Sequence, residues 1–354
     1  MKHHYKKITS LAPTVLLAAT LASCGGGGGG SSTAITYQTA ATISPATPGA
    51  YSPDEAAVYT QLQLIRPGAG YLTPNTALYT AASNHVTYLI NNSLLNATTF
   101  PGYLTTLYSG ILGGHYESNT LPNSNPSTDF YGTSPQARAT TAGYVGTVSE
   151  MMTFGPTSGT NCVDLLGDSV LHAINLVSPF VDLGVAYNAG GSGNSSVCAI
   201  EVGVASNTLG QLPANGPVVY PYDGQTSVLP KFYNQAEIPV SAADLPYAGH
   251  PVVASLYTMT AKTLNASAIT VNTFSITPDG GSPLTGVRVL VSSGVQTSGP
   301  TLTVDSNIPR PGFVVLLPEA PLDPSTLYHV SFNATVTGYP TYALNWSFTT
   351  GAAN

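Results

Sequence analysis

Apolar positions recur with two different periods along these 354 residues, and the change from one to the other falls near residue 208. Before it, several stretches are spaced as helices. Ser52-Pro53-Asp54-Glu55 predicts a helix start, with a capping serine, proline at the first position and glutamate at the third. Val58, Leu62 and Ile65 mark the buried face of that helix. A second helix, opening at Thr73-Pro74, carries Leu78, Ala82, Val86 and Leu89 and stops at Asn91-Asn92. Ser134-Pro135 opens a short third helix that ends at Gly143. A fourth is expected from about Cys162 to Asn175, with Val163, Leu166, Val170 and Ile174 as its stripe. YVGTVSEMM reads as a strand, and FVDLGVAY and VCAIEVGV, on either side of GGSGNSS, read as a hairpin.

Beyond the Pro/Gly-rich joint PANGPVVYPYDGQ the period becomes two. VVASLYTM, ITVNTFSI, GVRVLVSS, GFVVLLP, YHVSFNATV and YALNWSFTT alternate between turn signals, as the strands of an all-β sandwich do. The predicted fold class is therefore α+β, with a mixed domain over residues 51–207 and a β-sandwich over residues 208–354. Residues 31–50 carry no periodicity and read as linker.

Composition changes the reading at the N-terminus. MKHHYKK is a basic leader, and the apolar run ITSLAPTVLLAATLA after it is too short to span a bilayer. It closes on Leu21-Ala22-Ser23-Cys24, which resembles the lipobox of bacterial lipoproteins. That resemblance implies a signal peptide over residues 1–23, lipidation of Cys24 and a flexible tether over residues 24–50, starting with Gly25 to Gly30. The expected location is the cell envelope, held to the membrane by lipid. With Gly25 after the cysteine, it is the outer membrane or cell surface. Removing the leader takes Lys+Arg from 9 to 6 against 16 Asp+Glu, so the formal charge moves from -7 to -10. A chain this acidic repels phosphate backbones, so nucleic acid is not an expected partner. Once Cys24 is used by the anchor, Cys162 and Cys198 are left to pair in an oxidising compartment. Such a bridge closes a loop of about 37 residues and contributes roughly 3–4 kcal/mol.

With charged residues at only 7% of the chain, those in the first domain ask for a reason. GGHYESNTLPNSNPSTDFYG (residues 113–132) places His115 and Glu117 at the head of a polar loop. Glu150 ends an otherwise apolar strand, where a lone carboxylate is costly and a histidine is an economical partner. On a continuous fourth helix His172 lies roughly 200° around from Val170, away from the buried stripe and open to a cleft. His85 shares a face with Leu78 and Leu89 and reads as a satisfied core residue. Arg138 reads as a structural ion-pair partner.

The order of these motifs resembles a known family. GYLTPNTALYTAASNHVTYLINN is similar to the pattern G-x-L-x-x-N-x-x-L-x-x-A-A-x-x-H-A of bacterial CAP-domain (SCP-like) proteins. The likeness continues through His115, Gln136-Ala137-Arg138, Gly143-Tyr144, Val148-Ser149-Glu150 and Asp168 to Leu176, and closes at Asp182-Leu183-Gly184-Val185, covering roughly residues 51–205. The resemblance implies an α-β-α sandwich with a cleft lined by two histidines and two acids. Residue by residue, His115 and His172 match the histidines and Glu150 one acid. Ser169 stands where many members carry the second acid, and Glu117 or Asp168 is a candidate replacement. Leu166 stands where the family has tryptophan. The ending PLDPSTLYHVSFNATVTGYPTYALNWSFTTG resembles bacterial Ig-like domains that close on W-x-F-T-T, with Trp346 and Phe348 expected inside.

Two readings of the cleft set follow. His115, His172 and Glu150 form an N/O donor set suited to zinc or another divalent ion. The other reading, which is favoured, is a hydrogen-bonded His–Glu network that fixes the loop. No G-x-S-x-G, H-E-x-x-H or G-K-[ST] motif is present. The expected function is a surface-tethered, monomeric binding module for a lipid, peptide or glycan. The alternative is a metal-dependent hydrolase with Glu150 as general base, and a third possibility is a structural envelope component with a vestigial cleft.

Overall fold

The computed structural model describes residues 36–39, 51–66, 69–205, 209–212, 217–232, 239–245, 247–258 and 263–352. The expected signal peptide, Cys24 and most of the tether lie outside these residues. Within them the fold is mixed helix and sheet, with a β-rich C-terminal part. The helices are α1 (Pro53–Ile65), α2 (Thr76–Asn91), α3 (Pro135–Thr141), α4 (Gly159–Gly167) and α5 (Val170–Leu176).

They surround a four-stranded sheet in the order Thr73–Pro74, Asp182–Asn188, Val197–Ala205 and Gly146–Phe154. The three long strands are antiparallel. Successive residues of a strand point to opposite faces, and here both faces are covered. Cys198, Ile200 and Val202 pack with Val58 and Leu62 of α1 and with Val163 and Leu166 of α4. Val197 and Ala199 pack with Ala82, Val86 and Leu89 of α2. Gly184 lets the α2 backbone rest directly on the sheet, since a Cβ there would lie 2.1 Å from the Leu78 carbonyl carbon. Cys162 and Cys198 are bridged, with Cα atoms 6.2 Å apart, and staple α4 to the central strand.

α1 starts with the full capping box expected of Ser52 and Glu55. α2 starts later than its pattern suggests. Thr73-Pro74 pairs in parallel with Asp182-Leu183, and Asn75 becomes the cap, its Oδ1 accepting from Ala77 N at 3.0 Å and Leu78 N at 3.2 Å. The expected fourth helix is two helices. α4 ends at Gly167 with Asp168 as its C-cap, and Ser169 is extended, with φ -123° and ψ 139°. The break falls where the C-terminal part presses in, for the Tyr220 hydroxyl occupies the space beside Gly167 that a Cβ would need. Part of the expected linker also takes a place in the fold, because Thr36–Thr39 pairs in parallel with Leu209–Leu212.

The C-terminal part holds two five-stranded sheets. One runs Gln225–Val228, Tyr342–Thr350, Leu327–Val336, Ile269–Pro278, Gln296–Thr297. The other runs Leu302–Val304, Val287–Val291, Phe313–Pro318, Val252–Ser255, Val218–Tyr220. Phe274, Phe332 and Phe348 of the first share a core with Leu290 and Val315 of the second. Trp346 is buried as its alternation with Phe348 requires, and its Nε1 donates to the Pro221 carbonyl at 3.0 Å. Among the described residues no helix is long and apolar enough to cross a membrane.

Candidate functional site

The site is built where the loop after α2 meets the sheet. Gly113 and Gly114 thread a passage with no room for a side chain. A Cβ on Gly113 would lie 2.0 Å from the Tyr103 carbonyl oxygen, and one on Gly114 would lie 2.9 Å from the Phe154 ring. This close approach delivers His115 to the edge strand, where its Nδ1 lies 2.7 Å from Glu150 Oε1. Ser134 caps α3, and that short helix carries Arg138 into the same space.

Arg138 joins the acids. Its Nη2 donates to Glu150 Oε2 at 2.7 Å and its Nη1 to the His115 carbonyl at 3.0 Å, while Nε lies 3.6 Å from Glu117 Oε1. Glu117 is equally committed. Oε1 is 2.9 Å from His85 Nδ1, and Oε2 accepts from the backbone of Tyr131 at 2.7 Å and Gly132 at 3.3 Å. His85 Nε2 meets the Gly114 carbonyl at 2.8 Å. Both nitrogens of His85 therefore face acceptors, one a carboxylate and one a carbonyl. His85, Glu117, Arg138, Glu150 and His115 form one chain of contacts, with the side chains of all but His115 fully enclosed.

Electrostatics follow from this enclosure. Burial alone would raise the Glu150 carboxyl, but Arg138, His85 and His115 outweigh it and hold the group well below the usual carboxylate range. Glu201 is the opposite case. It sits directly across from Glu150 in the antiparallel ladder, with Gly184 on its other side. It is fully buried, and no donor reaches either oxygen. Burial and the neighbouring Glu150 carboxylate push its pKa far up. A proton on Glu201 supplies the missing donor, toward Glu150.

The residues expected in the cleft are thus placed as follows. His115 and Glu150 meet directly, and Glu117 enters the same network through His85 and Arg138. Asp168, a candidate for the missing acid, lies at the end of α4, paired to His250 at 3.2 Å. His172 was expected off the core face, and the structure corrects this. α5 is buried on every side, and His172 is 3% exposed, with Nδ1 2.9 Å from Ser169 Oγ. The expectation rested on an unbroken helix, but the break at Asp168-Ser169 resets the rotation and the strand Val252–Ser255 packs on α5. α5 also lies on the sheet face opposite Glu150, since its Asn175 donates to Ser149 Oγ at 3.2 Å. Among the described residues no three His, Cys, Asp or Glu side chains are placed to hold one metal ion. His115 meets Glu150 on one face of the sheet, and His172 lies on the other.

The sequence reading missed Glu201, while His85 is the buried, satisfied core residue expected. For Glu201 the only signal was a glutamate inside the apolar run VCAIEVGV.

No family model matches the chain, and no curated protein does. Among solved structures, it is similar to the crystal structure of PcoC, a methionine-rich copper resistance protein from Escherichia coli. The two are 14% identical over 38% of this chain and 99% of that one, with a TM-score of 0.23. A likeness of that size carries no argument.

Proposed function

We propose that the chain is an envelope-anchored binding module. In this reading residues 51–207 form a CAP-like α-β-α domain whose cleft opens at His115. Residues 208–354 form an Ig-like sandwich, and lipid on Cys24 holds both at the membrane. The order of sequence motifs, the helices on both faces of the first sheet and the His115–Glu150 contact support it. The observation that carries binding over hydrolysis is the commitment of Glu150. Oε1 is taken by His115 and Oε2 by Arg138, in an enclosed site. A general base must reach the proton that it removes, and neither oxygen of Glu150 is turned to an incoming water. An enclosed, hydrogen-bonded network instead makes a rigid wall, with the partly exposed His115 ring as its face to solvent.

His115 is therefore the reporter. Ring resonances of His115 in the full chain would be followed while phosphatidylglycerol micelles, a tripeptide and a neutral trisaccharide are added in turn. The binding reading expects one class to move them and a His115→Ala variant to lose that affinity. No response to any class sinks it. Zinc added to the same sample tests the hydrolase reading, which requires tight binding that depends on both His115 and His172.

A further inference from the structure

We infer that the C-terminal part of the chain positions His172, acting through His250 and Asp168, and so forms part of the first domain's working structure instead of a detached spacer. The contacts are short and buried. His250, just ahead of the strand Val252–Ser255, is 1% exposed, and its Nδ1 lies 3.2 Å from Asp168 Oδ1 in an equally buried pair. Burial pushes the imidazole down to about 3, so the ring is neutral near pH 7. A neutral ring facing a carboxylate carries its hydrogen on the facing nitrogen, so Nδ1 donates to Asp168. Tyr220 supports the contact from the side, with its ring centroid 5.5 Å from that of His250. Its hydroxyl also lies over Gly167, where a Cβ would sit 1.8 Å away.

Two side chains from beyond residue 208 thus hold residues 167 and 168, and the next residue is the hinge. Ser169 is extended, and its Oγ meets His172 Nδ1 at 2.9 Å. In Leu166-Gly167-Asp168-Ser169-Val170 the apolar spacing runs on at helical period, while glycine and an N-cap serine make a break there inexpensive. The break is held from outside, by Tyr220 at Gly167 and by His250 at the Asp168 carboxylate. If both are released, α4 can run on into α5. Ser169 would then turn helical and the His172 ring would move with it. The His85–Arg138 network shares none of these residues and should not respond.

The test is a set of histidine-ring correlation spectra on the full chain, with no ligand added. The outcome is therefore independent of whether the cleft binds anything, and either reading can fail alone. His250→Ala is expected to shift the His172 resonances while those of His85 and His115 stay in place. His250→Asn, whose amide nitrogen can stand in for Nδ1, should restore them. A folded His250→Ala protein with unmoved His172 resonances overturns the inference, and so does a shift that His250→Asn leaves uncorrected. Should His250→Ala fail to fold, Tyr220→Phe removes only the hydroxyl over Gly167 and should give a smaller shift of the same resonances. No shift there would also overturn it.

Discussion

The two faces of the four-stranded sheet are made by the same strands and held in different ways. Toward α1, α4 and α5 the strands present Cys198, Ile200 and Val202, and the packing is apolar with one covalent staple. Toward α2 and α3 they present Glu150 and Glu201, and the space is filled by Arg138, His85 and Glu117. Apolar burial is non-directional and tolerates small shifts. A buried charge network is directional and fails as a unit when one partner goes. The difference suggests a division of labour in which the apolar face holds the fold and the charged face holds His115 in one orientation.

The hardest test of that contrast is Arg138→Met. It leaves enclosed Glu150 with His115, and Glu117 with His85 and two backbone N–H groups, and denaturant unfolding should show a loss of about 3–5 kcal/mol. A loss under about 1 kcal/mol would mean that water enters and the charges are not enclosed. The matching attack on the apolar face is the Cys162→Ala/Cys198→Ala pair, expected to cost roughly 3–4 kcal/mol while the His115 resonances stay unchanged. Movement of His115 in that variant would erase the distinction between faces. Gly184→Ala strikes between them. Its Cβ meets α2 backbone, which cannot swing aside as a side chain can, and the expected cost is about 1–3 kcal/mol.

The smallest effect is the most specific. Burial, and then Glu150, raise the folded pKa of Glu201 above its unfolded value. The folded state thus keeps a proton that the unfolded chain releases above about pH 4.3. Stability from this group is complete below that pH and is lost as pH rises through the folded pKa. Glu201→Gln keeps the shape and a donor but has no proton to lose. Its stability should match or exceed that of the parent at pH 7, and its pH profile should be flatter above about 4.3. Parallel profiles for the two proteins would remove the proton from Glu201.

How much of this could be read beforehand depended on the distance over which the cause acts. The Ser52–Glu55 box, the Asp182–Asn188 and Val197–Ala205 hairpin and the inward Trp346 are set by neighbours a few residues away, and spacing revealed them. The need of Glu150 for a histidine partner could be read from cost alone, since a carboxylate closing an apolar strand requires one. The Glu201–Glu150 pair could not be read so, because it depends on the register of strands that are not adjacent in sequence. Nor could the contact of His85 Nε2 with the Gly114 carbonyl, which comes from a loop 29 residues away. The docking of Tyr220 and His250 at the break between α4 and α5 was hidden for the same reason, those residues lying 50 to 80 positions downstream.

The docking at Gly167 and Asp168 also bears on how such a chain can be inherited. Modules that recombine freely between genes meet through linkers, so each carries away a finished surface. Here one apolar core runs from α5 into the β-rich part, and a glycine on one side is shaped to a tyrosine hydroxyl on the other. A gene fusion that moved either half alone would expose that seam, so the two halves are expected to have drifted together, with residues 167, 168, 220 and 250 changing as a set.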